Sequence, residues 1–205
     1  MAVEEYAETY PLEAADFLRY LPGTDCGRCG LASCGAFADG LVDKRCRGAD
    51  CPELDGRLAE AVDAVLPLMP RILPYDQWMK TVEGPYRAYG EPGPDSPVLV
   101  TGNFVETAQV LEDIFLAAGA RLHLVIADTH GYSIDNAVEE RWFKAANIYA
   151  AMNTGGLTRL VRHTELLIPG LAERFRSDVQ RVTRWRVEVG PVSGFEIPMY
   201  LAARG

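Results

Sequence analysis

Five cysteines crowd the first quarter of the chain, at positions 26, 29, 34, 46 and 51. Cys26, Cys29 and Cys34 form a C-x2-C-x4-C run, and Cys51 follows after sixteen intervening residues with Pro52 behind it. Thiolates at that spacing can wrap one metal centre, and three close cysteines with a distant Cys-Pro are an iron–sulfur habit. Zinc knuckles come instead as two short ligand pairs, and structural zinc is the alternative that four thiols leave open. The spacing predicts one [4Fe–4S] cluster held by Cys26, Cys29, Cys34 and Cys51. Gly27 and Gly30 would bring backbone amides to the sulfurs. Cys46 is surplus and reads as a partly buried free thiol. An odd, clustered set argues against a disulfide framework. The acidic start Met1-Ala-Val-Glu-Glu-Tyr6 lacks an export signal, so a cytoplasmic protein is expected.

A second group of candidates lies downstream, each just after a short apolar run. They are Thr101-Gly102-Asn103-Phe104, Asp128-Thr129-His130-Gly131-Tyr132-Ser133, Pro169-Gly170, and Gly190-Pro191-Val192-Ser193-Gly194. In an open parallel sheet, ligands sit beyond the carboxyl ends of the strands. Four glycine-bearing loops at one edge would let a flat, bulky cofactor approach the backbone, although each loop taken alone reads equally as a turn. No G-x-G-x-x-G follows the first of these runs and no phosphate-binding G-x-x-x-x-G-K-[ST] occurs. Nor is there a G-x-S-x-G nucleophile elbow.

The elements that must carry these residues follow from periodicity. Residues 4–20 read as a helix broken early at Pro11, with Leu12, Ala15, Phe17 and Leu18 inward. A short helix is expected over 32–42, and a longer one over 54–69 closed by Pro67 and Pro70. Prolines 67, 70, 74, 85, 92, 94 and 97 then mark a linker with turn chemistry throughout. Its Trp78, Tyr86 and Tyr89 suggest packing against a neighbour. After Pro97, strands are expected at 98–101, 122–127, 165–169 and 185–190, the last at an edge. Helices are expected over 106–118 with Gly119 as stop, over 134–153 in two pieces, and from 171 onward. Strand–helix alternation with short connections predicts an α/β parallel sheet of flavodoxin or Rossmann type with helices on both faces.

The 205 residues are 48% hydrophobic and 24% charged, as in an ordinary globular protein. No apolar run approaches a membrane span. The net charge is −9. Residues 1–95 carry nine basic and seventeen acidic side chains, and residues 96–205 carry eleven and twelve. An acidic first half repels a nucleic-acid backbone; it serves solubility or presents a docking face to a redox partner.

The segment LPGTDCGRCGLASCGAFADGLV…CP, within residues 10–60, resembles the four-cysteine domain of the corrinoid iron–sulfur protein large subunit. That subunit is equivalent to the gamma subunit of acetyl-CoA decarbonylase/synthase, and a similar domain occurs in the Rnf electron-transport complex. VLVTGNF, ADTHGYSIDNAV, LLIPG and VGPVSGFEIPMYL, across residues 97–201, resemble the corrinoid-binding domain of the same subunit, in the same order. The chain departs from that pattern at Gly102, often a second Thr in the family, and at His130, often an acid.

The resemblance implies a minimal form without the central TIM-barrel-like domain. It would comprise an iron–sulfur unit at 1–69, a Pro-rich linker at 70–96 and a corrinoid-binding domain at 97–205. It further implies a methyl carrier that accepts and donates a methyl group at cobalt, the cluster returning Co(II) to Co(I). The partners would be a separate methyltransferase or methyl acceptor and a low-potential electron donor. The rivals are an electron-transfer protein, or a corrinoid-binding module without methyl transfer. His130 sits in Asp128-Thr-His130, a truncated D-x-H-x-x-G. The family binds its cobalt without a protein ligand on the lower face, so His130 is expected to stay off the metal.

Overall fold

A computed structural model describes residues 6–8, 10–69, 72–74 and 79–204. Five strands form the central sheet: β3 (Tyr86–Tyr89), β4 (Val98–Gly102), β5 (Leu122–Ala127), β6 (Glu165–Ile168) and β7 (Arg186–Val189). Their order is β3-β5-β4-β6-β7. β4 to β7 run parallel, and β3 pairs antiparallel with β5 at the edge. The parallel strands thus follow the flavodoxin order, with the chain reversing direction across the sheet between β4 and β6.

Every residue of β4 and β5 is buried, as expected for strands covered on both faces. Alternation sorts their side chains. Leu99, Leu122, Leu124, Ile126 and Leu167 face one layer, built by α4 (Val105–Ala117), α3 (Gly56–Val65) and α9 (Ile197–Ala202). Val98, Val100, Val125, Ala127, Leu166, Ile168 and Val187 face the other, built by α5 (Ile134–Glu139), α6 (Ala145–Thr154) and α8 (Arg176–Thr183). α4 ends in a Schellman motif: Gly119, at φ +58°, donates to Leu116 O (3.2 Å), and Ala120 donates to Phe115 O (2.9 Å).

The cysteine-bearing unit holds α1 (Ala14–Leu18), α2 (Cys34–Val42) and α3. Ser33 caps α2 by accepting from Ala36 N (3.1 Å), and Asp55 caps α3 by accepting from Arg57 N (3.0 Å). Leu12, Phe17, Phe37, Leu41, Val62 and Val65 belong to the same apolar cluster as Leu111, Phe115, Phe195 and Met199. One core therefore joins the first unit to one face of the sheet.

Two expectations need correction. The helix over 4–20 is confined to Ala14–Leu18, while 6–8 form β1, antiparallel to β2 (Ile72–Pro74); residues 4, 5 and 9 lie outside the described residues. Pro11 lacks an N–H and pushes its predecessor to extended backbone. So short a helix buries one side only, and Ala15 and Leu18 are exposed. The stretch expected to be all turn contains β3, whose flanking glycines and prolines punctuate it. Tyr86 packs against the α6 layer and Tyr89 against Phe115, ring centroids 5.1 Å apart. Trp78 lies outside the described residues. Finally, α7 (Leu157–Leu160) and α9 had no sequence-based expectation. α9 is six residues long and carries Pro198 in its first turn, the one place where a helix tolerates proline.

The shared core predicts one cooperative unfolding transition. Phe17→Ala and Leu111→Ala should each lower stability by roughly 2–5 kcal/mol, moving the same denaturation midpoint by circular dichroism and by tryptophan fluorescence. Two separable transitions would count against this packing.

Candidate functional site

The cysteine loop is organised by its turns. Gly27 (φ +67°) and Gly30 (φ +82°) close a turn around Cys29, with Gly30 N donating to Gly27 O at 3.0 Å. Cys34 opens α2, its N–H given to Asp25 Oδ1 at 2.7 Å. Cys51 is buried behind a 3-10 turn at Gly48–Asp50. Asp63 of α3 ties that turn down by accepting from Gly48 N (2.6 Å). All five thiols are free of disulfides. The Arg28 amide and the Thr24 hydroxyl push the exposed Cys26 thiol below its usual range, whereas burial and then Asp50 push Cys46 up.

Cys46 has a packing role: a Cβ on Gly40 would lie 2.5 Å from its sulfur. Among the described residues, no three Cys, His, Asp or Glu side chains are grouped to hold a metal ion. Neutral thiols have no force drawing them together until metal binding deprotonates them. The donor set nonetheless suits iron–sulfur ligation: four unlinked thiols, two on the turn at 26–30, one opening α2 and one after the turn at Gly48–Asp50, with a main-chain amide directed at the first sulfur.

At the carboxyl ends of β4 and β6, where the topology reverses, lies a cavity of about 480 Å³. That is within the range of small-molecule sites. Its wall includes Thr101, Phe104, Gly131, Ser133, Pro169, Gly190, Pro191 and Gly194 from the sequence-based set. Gly102, Asn103, Asp128, Thr129, His130 and Gly170 do not line it.

Those six act on the protein instead. Asn103 Oδ1 accepts from Thr129 N, Thr129 Oγ1 and Gly131 N, each at 3.0 Å, and Asn103 Nδ2 donates to Asp128 Oδ1 (3.0 Å). This clamps the loop after β5 to the loop after β4. A Cβ on Gly102 would stand 2.7 Å from Thr129 Oγ1, one on Gly131 2.4 Å from Met79 O, and one on Gly170 2.8 Å from Gly190 O. These glycines allow the loops to approach one another, Gly131 while also lining the cavity.

The His130 ring packs edge-on against Trp142 at 4.1 Å. His123 meets Tyr86 Oη (2.8 Å) and Gly93 O (3.0 Å), and His163 meets Ser96 O (2.9 Å). None of the three histidines lines the cavity.

The sequence reading missed Glu106 and Thr107 in the first turn of α4, and Asp135 and Asn136 in the first turn of α5. The rule that ligands gather beyond strand ends extends to the helical turns that follow, which could have found them. Tyr10 and Pro11 also line the cavity, and no local signal marks them.

Residues 61–201 match the family described as CO dehydrogenase/acetyl-CoA synthase delta subunit, and residues 21–53 match an Fe-S cluster family. The chain is 32% identical over 120 residues to the acetyl-CoA decarbonylase/synthase complex subunit gamma of Archaeoglobus fulgidus, covering 58% of this chain and 26% of that one. Subunit gamma 1 of Methanosarcina thermophila is 33% identical over 120 residues, with the same coverage. The chain thus spans about a quarter of the length of these curated relatives. No helix among the described residues is long and apolar enough to cross a membrane. By the match over 61–201, which takes in β3 to β7 and the cavity wall they carry, the chain belongs to the CO dehydrogenase/acetyl-CoA synthase delta subunit family.

Proposed function

We propose that the chain is a corrinoid iron–sulfur methyl carrier, with a [4Fe–4S] cluster on Cys26, Cys29, Cys34 and Cys51 and a corrinoid at the cavity. The observation that carries this reading is the cavity itself, at the switch point of a flavodoxin-order sheet, in a chain whose first quarter carries four free thiols at iron–sulfur spacing. The order of the two family matches supports it.

The wall suits such a cofactor in its chemistry. It combines hydrocarbon from Leu99, Phe104, Val110 and Leu167 with hydroxyls from Thr101, Thr107 and Ser133, and offers no imidazole or thiol. A macrocycle would be held there by shape and hydrogen bonds, with no strong protein ligand on the metal. When bound, a corrinoid supplies a nucleophilic cobalt that takes up and releases methyl groups, and the protein supplies binding, orientation and exclusion of water. Thr101 and Ser133 would bond the cofactor's amide arms, and the Asn103 clamp would hold Gly131 and Ser133 in position. The cysteine unit would pass single electrons to the site from a low-potential donor. A separate protein would present and receive the methyl group; the relatives' names as subunits of a complex support such partners. A cytoplasmic location belongs to the same proposal.

Two tests follow. After anaerobic purification, Ala variants of Cys26, Cys29, Cys34 or Cys51 should each lose most of the bound iron and sulfide, while Cys46→Ala keeps them. Retention of full iron by Cys51→Ala with loss in Cys46→Ala would reverse the assignment. Separately, the full chain should bind cobalamin at micromolar concentrations, and its cobalt(II) electron paramagnetic resonance should be unchanged in His130→Ala. Nitrogen splitting that vanishes in that variant would make His130 a ligand. Iron without any cobalamin binding would favour a plain electron-transfer protein.

A further inference from the structure

The loop 190–197 divides its side chains between two tasks. Gly190, Pro191, Val192, Gly194, Phe195 and Ile197 line the cavity. The two residues between them that do not, Ser193 and Glu196, hold the N-terminal unit. Ser193 Oγ donates to Tyr10 O at 2.5 Å. The Glu196 carboxylate, 4% exposed, accepts from Arg19 Nη1 and from Tyr20 Oη, both at 2.8 Å. The segment so anchored bridges two parts of the wall: Tyr10 and Pro11 line the cavity, and Tyr10, held to the loop after β7 by Ser193, reaches Asp135 Oδ2 (3.5 Å) in the first turn of α5 through its hydroxyl. Just beyond, Leu12 is buried, its N–H directed at Met69 Sδ (3.4 Å). Tyr10 itself is 45% exposed and is not locked into the core.

We infer that residues 10–12 form a strap across the mouth of the cavity, anchored through Ser193 and Glu196, and that a macrocyclic cofactor binds only when the strap lifts. This rests on the corrinoid reading above. A corrinoid with its amide arms is larger than the cavity of about 480 Å³ that Tyr10 and Pro11 help to wall, so strap closure and occupancy compete for the same volume. Because the anchors and the wall share one loop, the coupling is reciprocal. A filled cavity loosens Tyr10 to Tyr20, and a docked N-terminal unit slows loading.

The test uses the full chain, with cobalamin as probe, and compares wild type with Tyr10→Ala, Ser193→Ala and Glu196→Leu. Circular dichroism confirms that each is folded; Tyr10→Ala, at a half-exposed position, safeguards the test if an anchor variant fails to fold. Association should be roughly fivefold or more faster in the variants, in proportion to the open fraction. Amides 12–20 of the cobalamin-free protein should exchange hydrogen faster in the two anchor variants than in wild type. Binding by the variants but not by wild type also supports the strap. Equal or slower association in the folded variants, with wild type binding, overturns the strap and leaves the corrinoid reading standing. Failure of all four proteins to bind cobalamin overturns that reading and the strap with it.

Discussion

A sheet buried on both faces cannot stand alone. β4 and β5 present apolar side chains in both directions, and each face needs a layer over it. On one side the crossover helices α5, α6 and α8 provide that layer within the second half of the chain. On the other, α4 is too narrow, and the cover is completed by α9 and by α3 of the cysteine-bearing unit. Placement of the thiol loop follows from this need. Cys51 sits on the turn that Asp63 of α3 ties down, and α3 is seated against the sheet layer. The unit carrying the candidate cluster and the wall carrying the candidate cofactor site are consequently parts of one packed body.

The segment between the two halves reinforces this. Val82 N donates to Asn103 O (2.9 Å) and Val105 N to Lys80 O (3.0 Å), so residues 80–82 are stitched to the loop after β4. A few residues later β3 pairs along the whole of its length with β5. Gly131 is pressed against Met79 by the same arrangement. A proline-rich stretch without such bonds would act as a spacer. Here its polar backbone is spent on the sheet edge and on the rim of the cavity, and the loops that line the site are braced from outside.

What could be read from the sequence divides along a physical line. β4, β5 and β6 were legible because fully buried strands are short, apolar and bounded by turn residues. α4 was legible from its period and Gly119. α1 was misread because apolar residues on either side of Pro11 mimic a helical face, and β3 was missed because four residues of mixed polarity between glycines give no alternation to count. At the site, sequence reasoning found the strand-end loops. It could not tell which of their residues face the cavity and which face a neighbouring loop. Asn103 and Gly102 illustrate this: adjacent to Thr101, which lines the wall, they are consumed in holding Thr129. Tyr10 was beyond reach, since its place depends on contacts more than a hundred residues away.

Glu196 shows how such long-range placement is made specific. A carboxylate buried at this depth would be strongly unfavourable unless its lone pairs were filled. Arg19 and Tyr20, in the turn that follows α1, both donate to its Oε1 at 2.8 Å. Burial, together with that bond, holds the Tyr20 hydroxyl protonated well above the usual phenol range. Apolar contact alone would fix the position of α1 only loosely, since hydrophobic burial is non-directional. A buried acceptor with two directional donors admits one register. The position of Pro11 and Tyr10 over the cavity is then a geometric consequence of that register, fixed from eight to ten residues further along the chain.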